Sequence, residues 1–167
     1  MLIRPVTQSD IPSVARIHIA SWQAAYQGIV PASFLNSMDV VERTERWLSR
    51  YDKIADSMFV AEVDGEIQAW VLCGRSREVD DPVTTGEVYA IYADPASWGK
   101  GLGTALLARV ELTLRDQGYT DVFLLVLAEN TPTRLFYEAR GYQATATTKL
   151  ITIAGSALTE IRYERRL

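Results

Sequence analysis

Histidine and cysteine are almost missing from this chain: His18 and Cys73 stand alone among 167 residues. One cysteine forms no internal disulfide, and a Cys/His zinc site has too few ligands. A Ser-His-Asp triad would have to use His18, and no G-x-S-x-G elbow is present. Basic excess is lacking too. The chain has 17 Lys and Arg against 21 Asp and Glu, for a net charge of −4. A binder of nucleic-acid backbone carries surplus positive charge, so no nucleic-acid partner is expected. The longest apolar run, Val122 to Ala128, is far short of a membrane span. The opening MLIRPVTQSD holds no apolar signal core, so a cytoplasmic protein without a membrane partner is expected.

What is present suits one globular domain over residues 1–167, 48% hydrophobic and 23% charged. Leu2 to Val6 reads as a strand. Ser9 or Asp10 can cap a helix to about Ala25, with Ile11, Val14, His18 and Trp22 on one stripe. On that stripe His18 reads first as a packing residue. Pro31 to Arg50 is a second helical region, possibly in two pieces, with Val41, Trp47 and Leu48 inward. Ser57 to Val63 and Glu66 to Gly74 form a hairpin around Asp64-Gly65. Glu87 to Ala93 is the next strand, and Gly101 to Gln117 a helix closed by Gly118. Asp121 to Ala128 is apolar on both faces, hence a central strand. Thr131 and Pro132 start a helix whose apolar side is Leu135, Phe136 and Ala139. Two last strands, Tyr142 to Ile153 and Ala157 to Glu164, meet at Gly155-Ser156. This order predicts a mixed α/β sheet with helices on both faces.

The stretch GEVYAIYADPASWGKGLGTALL, Gly86 to Leu107, carries the chemistry. A strand runs into a loop with Gly99, Gly101 and Gly103, then into a helix. Backbone without Cβ lets a ligand approach closely. The unpaired N–H groups and the dipole of the helix start suit a phosphate. Walker A fails, because Lys100 is followed by Gly101 rather than Ser or Thr. The dinucleotide fingerprint fails as well, since neither residue 104 nor residue 106 is Gly.

Here the sequence resembles the GNAT superfamily of acetyl-CoA-dependent N-acetyltransferases, over essentially the whole chain. Its loop motif, Gln/Arg-x-x-Gly-x-Gly/Ala, is similar to Trp98-Gly99-Lys100-Gly101-Leu102-Gly103, with Trp98 in place of the leading polar residue. Its second motif, N-x-x-[A/S/T]-x-x-[F/L]-Y-x-x-x-G-[F/Y], is similar to Asn130 to Tyr142, with Asn130, Tyr137 and Gly141 in step. The resemblance implies a mostly antiparallel central sheet and acetyl-CoA as cofactor, with no metal. It implies a strand before the glycine loop that is bulged and splayed. Backbone of Ile91, Tyr92 and Ala93 would then meet pantetheine. Trp98, Gly99, Lys100, Gly101, Leu102, Gly103 and Thr104 would hold pyrophosphate, and Asn130 and Tyr137 would lie at the CoA arm. A homodimer is common in the family.

The implied reaction is attack of a primary amine on the thioester carbonyl. Such an amine, with a pKa near about 10.4, must first lose a proton. The leaving thiolate needs a donor, and the Tyr137 phenol is protonated at neutral pH. Glu87 is the candidate base, with strand alternation putting Glu87, Tyr89 and Ile91 on one face. Trp22 and Tyr26, at i and i+4, join Glu87 and Tyr89 as the acceptor-binding set. A small-molecule amine is the expected acceptor. Leu125 stands where members acting on protein N-termini often carry Glu, which disfavours a protein N-terminal substrate. Acetylation of a protein Lys or N-terminus, and a CoA-binding sensor without turnover, are the alternatives.

Overall fold

The computed structural model describes residues 1–167. Strand β1 (Leu2–Pro5) leads through a 3-10 turn into α1 (Ile11–Ala25). Asp10, one of the two expected caps, is the N-cap of α1, and Thr7 opens the turn before it, where the Thr7 N–H donates to the Asp10 carboxylate at 2.7 Å. Both Arg4 terminal nitrogens clamp the same carboxylate. The second helical region divides into α2 (Ala32–Ser37), α3 (Val40–Leu48) and the single turn α4 (Tyr51–Ile54). Strands β2 (Met58–Val63) and β3 (Glu66–Arg75) meet at Asp64 and Gly65, with φ of 53° and 83°. Two successive positive φ values are what a two-residue type I′ turn requires.

Strand β4 (Thr85–Ala93), helix α5 (Leu102–Asp116), strand β5 (Asp121–Leu127) and helix α6 (Thr131–Glu138) follow. Strands β6 (Gln143–Ile153) and β7 (Ser156–Arg166) end the chain. The seven strands form one sheet in the order β1-β2-β3-β4-β5-β7-β6. Only β4 and β5 run parallel, as their connection through α5 demands. The mixed, mostly antiparallel sheet with helices on both faces is thus as expected. On one face α5 buries Leu102, Leu106, Leu107, Val110 and Leu114 in a core shared with Tyr137 and Tyr142. Each such side chain contributes about 1.5–3 kcal/mol. On the other face α1 packs Ile11, Val14 and Ile17 against Val60, Trp70 and Leu72, with Trp47 of α3 at the margin.

Three expectations are corrected. Val41 is 66% and Leu48 37% exposed, because α3 lays Arg43, Thr44 and Trp47 inward instead. On α6, Leu135 and Ala139 face solvent, and Thr133, Phe136, Tyr137 and Arg140 turn inward. The α6 cap is Asn130, not Thr131: its side-chain oxygen accepts from Thr133 N–H.

A fourth expectation, on β4, is corrected too. Leu72 faces Ala90 while the next residue of β3, Cys73, faces Val88, so Tyr89 is an extra residue, a bulge. The bulge shifts the alternation by one. Ile91 and Val88 therefore join the α5 core, whereas Tyr92, Ala90 and Tyr89 lie on the α1 side. Glu87, Tyr89 and Ile91 do not share a face. Strand β4 pairs with β5 only over Thr85, Gly86 and Glu87. Beyond Glu87 the two strands part.

Candidate active site

The parted strands open a cleft at the level of Val88 to Ala93 on one side and Leu124 to Val126 on the other. It continues over the glycine loop as a space of about 550 Å³, bounded by Gly99, Gly101 to Thr104, Asn130, Phe136, Tyr137 and Arg140. Strand geometry decides which backbone groups face it. Asp94 N–H donates to Gln68 O at 2.8 Å, and antiparallel alternation carried back from there commits Tyr92 and Ala90 to β3. Ile91 and Ala93 face the cleft with their main chain. The Tyr92 backbone faces the opposite way, and only its side chain borders the site.

The loop is built for an anion. The first helical bond of α5 runs from Ala105 N to Gly101 O, leaving the N–H groups of Leu102, Gly103 and Thr104 at the mouth. The glycines serve two purposes. Gly99 and Gly101 hold φ of 75° and 83°, and a Cβ on either would meet no protein atom within 4 Å. That is open space over the mouth of the helix. Gly103 serves packing instead, since its Cβ would stand 2.9 Å from Phe136 Cζ. Trp98 donates from Nε1 to Ala93 O at 2.9 Å, so it ties the loop to the end of β4. Ser21 Oγ donates to the same carbonyl at 2.6 Å. Lys100 is exposed beside the loop and outside the cleft walls.

Tyr137 is 5% exposed and borders both parts of the cleft. Its hydroxyl has no hydrogen-bond partner in the chain, and burial, with Tyr92 adding to it, pushes the phenol up from its ordinary value. The phenol is thus held protonated and without a partner in the cleft wall. Asn130 is 5% exposed, its oxygen spent on the α6 cap and its amide nitrogen left for the cleft.

At the acceptor end, Trp22 Nε1 donates to the Tyr92 hydroxyl at 2.9 Å, and Tyr26 meets Trp22 edge-on at 4.9 Å. Burial raises both the Tyr26 and Tyr92 phenols. Tyr89 borders the cleft, whereas Glu87 does not. Glu87 is 2% exposed and accepts from Arg77 N–H at 2.9 Å and from the Arg77 guanidinium. A carboxylate so paired is poorly placed to take a proton, and it does not border the cleft. Arg77 also covers the Tyr89 ring at 4.4 Å, and the Tyr89 hydroxyl donates to Arg75 O. Cys73 is buried, its thiol pushed up to about 11 by burial, which leaves it inert.

Residues 19–142 match the family described as Acetyltransferase (GNAT) family. The chain belongs to that family. It is an acyltransferase with an N-acetyltransferase fold. An uncharacterized N-acetyltransferase of Bacillus subtilis, YuaI, is 32% identical over 160 residues, covering 95% of this chain and 89% of the relative. A ribosomal-protein-alanine N-acetyltransferase from Brucella melitensis superposes with a TM-score of 0.77 at 20% identity over the whole of both chains. The PaiA N-acetyltransferase from Thermoplasma acidophilum, solved with coenzyme A, superposes with a TM-score of 0.76 at 20% identity, covering 99% of this chain and 98% of that one.

Two further charged residues escape a sequence reading. Arg140 donates to Thr104 Oγ1 at 2.9 Å and lies 3.7 Å over the Phe136 ring, which brings a cation to the anion end. It falls inside the second motif at a position the motif leaves free. Glu160 on β7 lies opposite Leu127, half-buried, where Leu158, Glu160 and Arg162 alternate on one face. That run of charges beside Leu158 is the available signal.

Proposed function

We propose that this GNAT chain moves an acetyl group from acetyl-CoA to the primary amine of a small molecule, with Tyr137 as general acid. The observation that carries this reading is the cleft between the parted strands, with an anion site at one end and the buried Tyr137 hydroxyl in its wall. Acetyl-CoA supplies an activated acyl group as a thioester. The N–H groups of Leu102, Gly103 and Thr104, with Arg140, would hold its pyrophosphate end. The main chain of Ile91 and the N–H of Ala93, whose carbonyl is taken by Trp98 and Ser21, would pair with its extended arm as an added strand does. Tyr137 would then give its proton to the departing sulfur.

A roof over the acceptor end supports a small acceptor. Val30 and Leu35, from the link after α1 and from α2, pack with Leu127 and with Leu158 of the β6–β7 hairpin. Trp22, Tyr26, Phe34, Ile151 and Ile153 extend this contact. A protein Lys or N-terminus would need an open groove there.

The test is a kinetic split. Tyr137→Phe should lower kcat roughly 10²-fold while the KM for acetyl-CoA stays within twofold. An unchanged kcat would remove Tyr137 from the chemistry. Between pH 6 and 9 the wild-type rate should show no alkaline fall, because the raised phenol stays protonated throughout.

A further inference from the structure

Trp98 is a large apolar side chain that the fold sets in the cleft and leaves half uncovered. It is 48% exposed, and of the exposed large apolar side chains it alone borders the cleft. It borders both parts, the slot between the parted strands and the space over the glycine loop. A single exposed aromatic is ordinary on a protein surface. Trp98 differs in being fixed from both ends. Behind it, Ala96 N–H donates to the Asp94 carboxylate at 3.0 Å, Ser97 N–H to Asp94 O at 2.8 Å, and Ser97 Oγ to Gln68 Oε1 at 2.6 Å. At its tip, Nε1–H donates to Ala93 O at 2.9 Å. That carbonyl faces the cleft with the rest of the Ala93 main chain, so the indole edge lies in the cleft beside it.

Hydrogen-bonding capacity limits which part of a cofactor the indole can serve. An indole has one donor and no acceptor. Trp98 commits that donor to Ala93 O and has none left for a phosphate oxygen, although it stands where the loop motif leads with a polar residue. Phosphate is left to the N–H groups of Leu102, Gly103 and Thr104 and to Arg140. What Trp98 presents is a pre-placed apolar face, which lowers the entropy cost of a contact. Coenzyme A has a part that matches it. Between the two amides of its arm and its phosphates lies a carbon bearing two methyl groups. A strand advances about 3.3 Å per residue, so an arm paired first to Ile91 and then to Ala93 carries that carbon past Ala93 toward the loop. The Ala93 carbonyl accepts from both Trp98 and Ser21 Oγ, which fills its two lone pairs and leaves an apolar contact at this point.

We propose that Trp98 is a donor-binding residue that grips the arm of coenzyme A rather than its pyrophosphate, with the indole face packed on the dimethyl-substituted carbon. The inference rests on the acetyl-CoA reading above. Ala93 O anchors the indole, and Ser21 ties the same point to α1.

The test is binding, read by calorimetry on the whole chain. Coenzyme A is compared with an analogue that carries hydrogen in place of the two methyl groups. The wild type should prefer coenzyme A at least about fivefold. Trp98→Ala should bind coenzyme A about tenfold more weakly, and should bind the two ligands within about twofold of each other. Trp98→Gln should behave in the same way, and it carries the comparison if Trp98→Ala does not fold. Fluorescence gives a second readout. Coenzyme A should move the indole emission of the wild type to shorter wavelength as Trp98 is covered, and Trp98→Phe should bind without that shift. An equal preference for coenzyme A over its analogue in wild type and variants overturns the grip and leaves acetyl-CoA binding standing, as does an emission shift retained in Trp98→Phe. Tighter binding by Trp98→Gln than by the wild type also overturns the grip, because the position would then serve the phosphates. No binding of coenzyme A by the wild type overturns both readings.

Discussion

His18 has no hydrogen-bond partner on either ring nitrogen, and Trp47 and Trp70 leave their indole N–H groups unpaired beside it. It sits among Trp22, Trp47, Trp70 and Tyr92. Burial, with the Arg43 charge adding to it, pulls its pKa down to about 3. The unfolded chain protonates His18 near about 6.5, the folded one only near 3. The stability this difference confers is full above 6.5 and is lost as pH falls toward 3, at up to ~1.4 kcal/mol per pH unit. His18→Leu should therefore match or exceed the wild type in urea midpoint at pH 7, since it removes two unsatisfied nitrogens. It should also lose less stability between pH 6.5 and 4. An identical acid dependence in both proteins would show that His18 is not a buried neutral group.

At the level of elements, helix ends and strand order follow from caps, turn residues and periodicity. The hairpin at Asp64-Gly65 and the start of α5 at the glycine loop stand as the sequence implies. The orientation of a short helix does not. On α3 and α6 the apolar residues present more than one plausible stripe, and tertiary packing selects Trp47 with Arg43 and Tyr137 with Phe136. The β4 bulge leaves no mark on composition, and only the family resemblance implied it. It turns Ile91 to the face opposite Tyr89, against simple alternation. The glycine loop was legible as the turn into α5, but the separate duties of its glycines were not. Their difference is testable. Gly101→Ala meets no protein atom and should cost only its left-handed strain, ~1–2 kcal/mol, while raising the KM for acetyl-CoA at least fivefold. Gly103→Ala should destabilise through the Phe136 clash, and Phe136→Leu in the same chain should recover most of the loss. Loss of stability without a change in KM at Gly101 would mean that the loop holds no part of the cofactor.

Across the whole molecule, the sheet is two antiparallel halves joined by three residue pairs of β4 and β5. Side chains from the segment between β3 and β4 reinforce that seam. Arg77 clamps Glu87, Asp81 takes Arg162 of β7 at 3.0 Å, and Glu78 takes Lys149 of β6. The seam must be short for the cleft to exist and firm for the halves to stay together. Arg77→Met strands the buried Glu87 carboxylate and should cost about 2 kcal/mol, less than a fully buried pair because Arg77 is itself largely exposed. Arg77→Met with Glu87→Gln should recover much of it, read as thermal midpoints. Equal midpoints for wild type and Arg77→Met would show that the pair does not stabilise the β4 side of the seam.

The most direct measurement of the central claim is mass spectrometry of both products after incubation with acetyl-CoA and a small primary amine. Acetyl transfer predicts one N-acetylated amine for each coenzyme A released, and loss of both signals together in Tyr137→Phe. Tight binding of acetyl-CoA with no acetylated amine from any acceptor would contradict it.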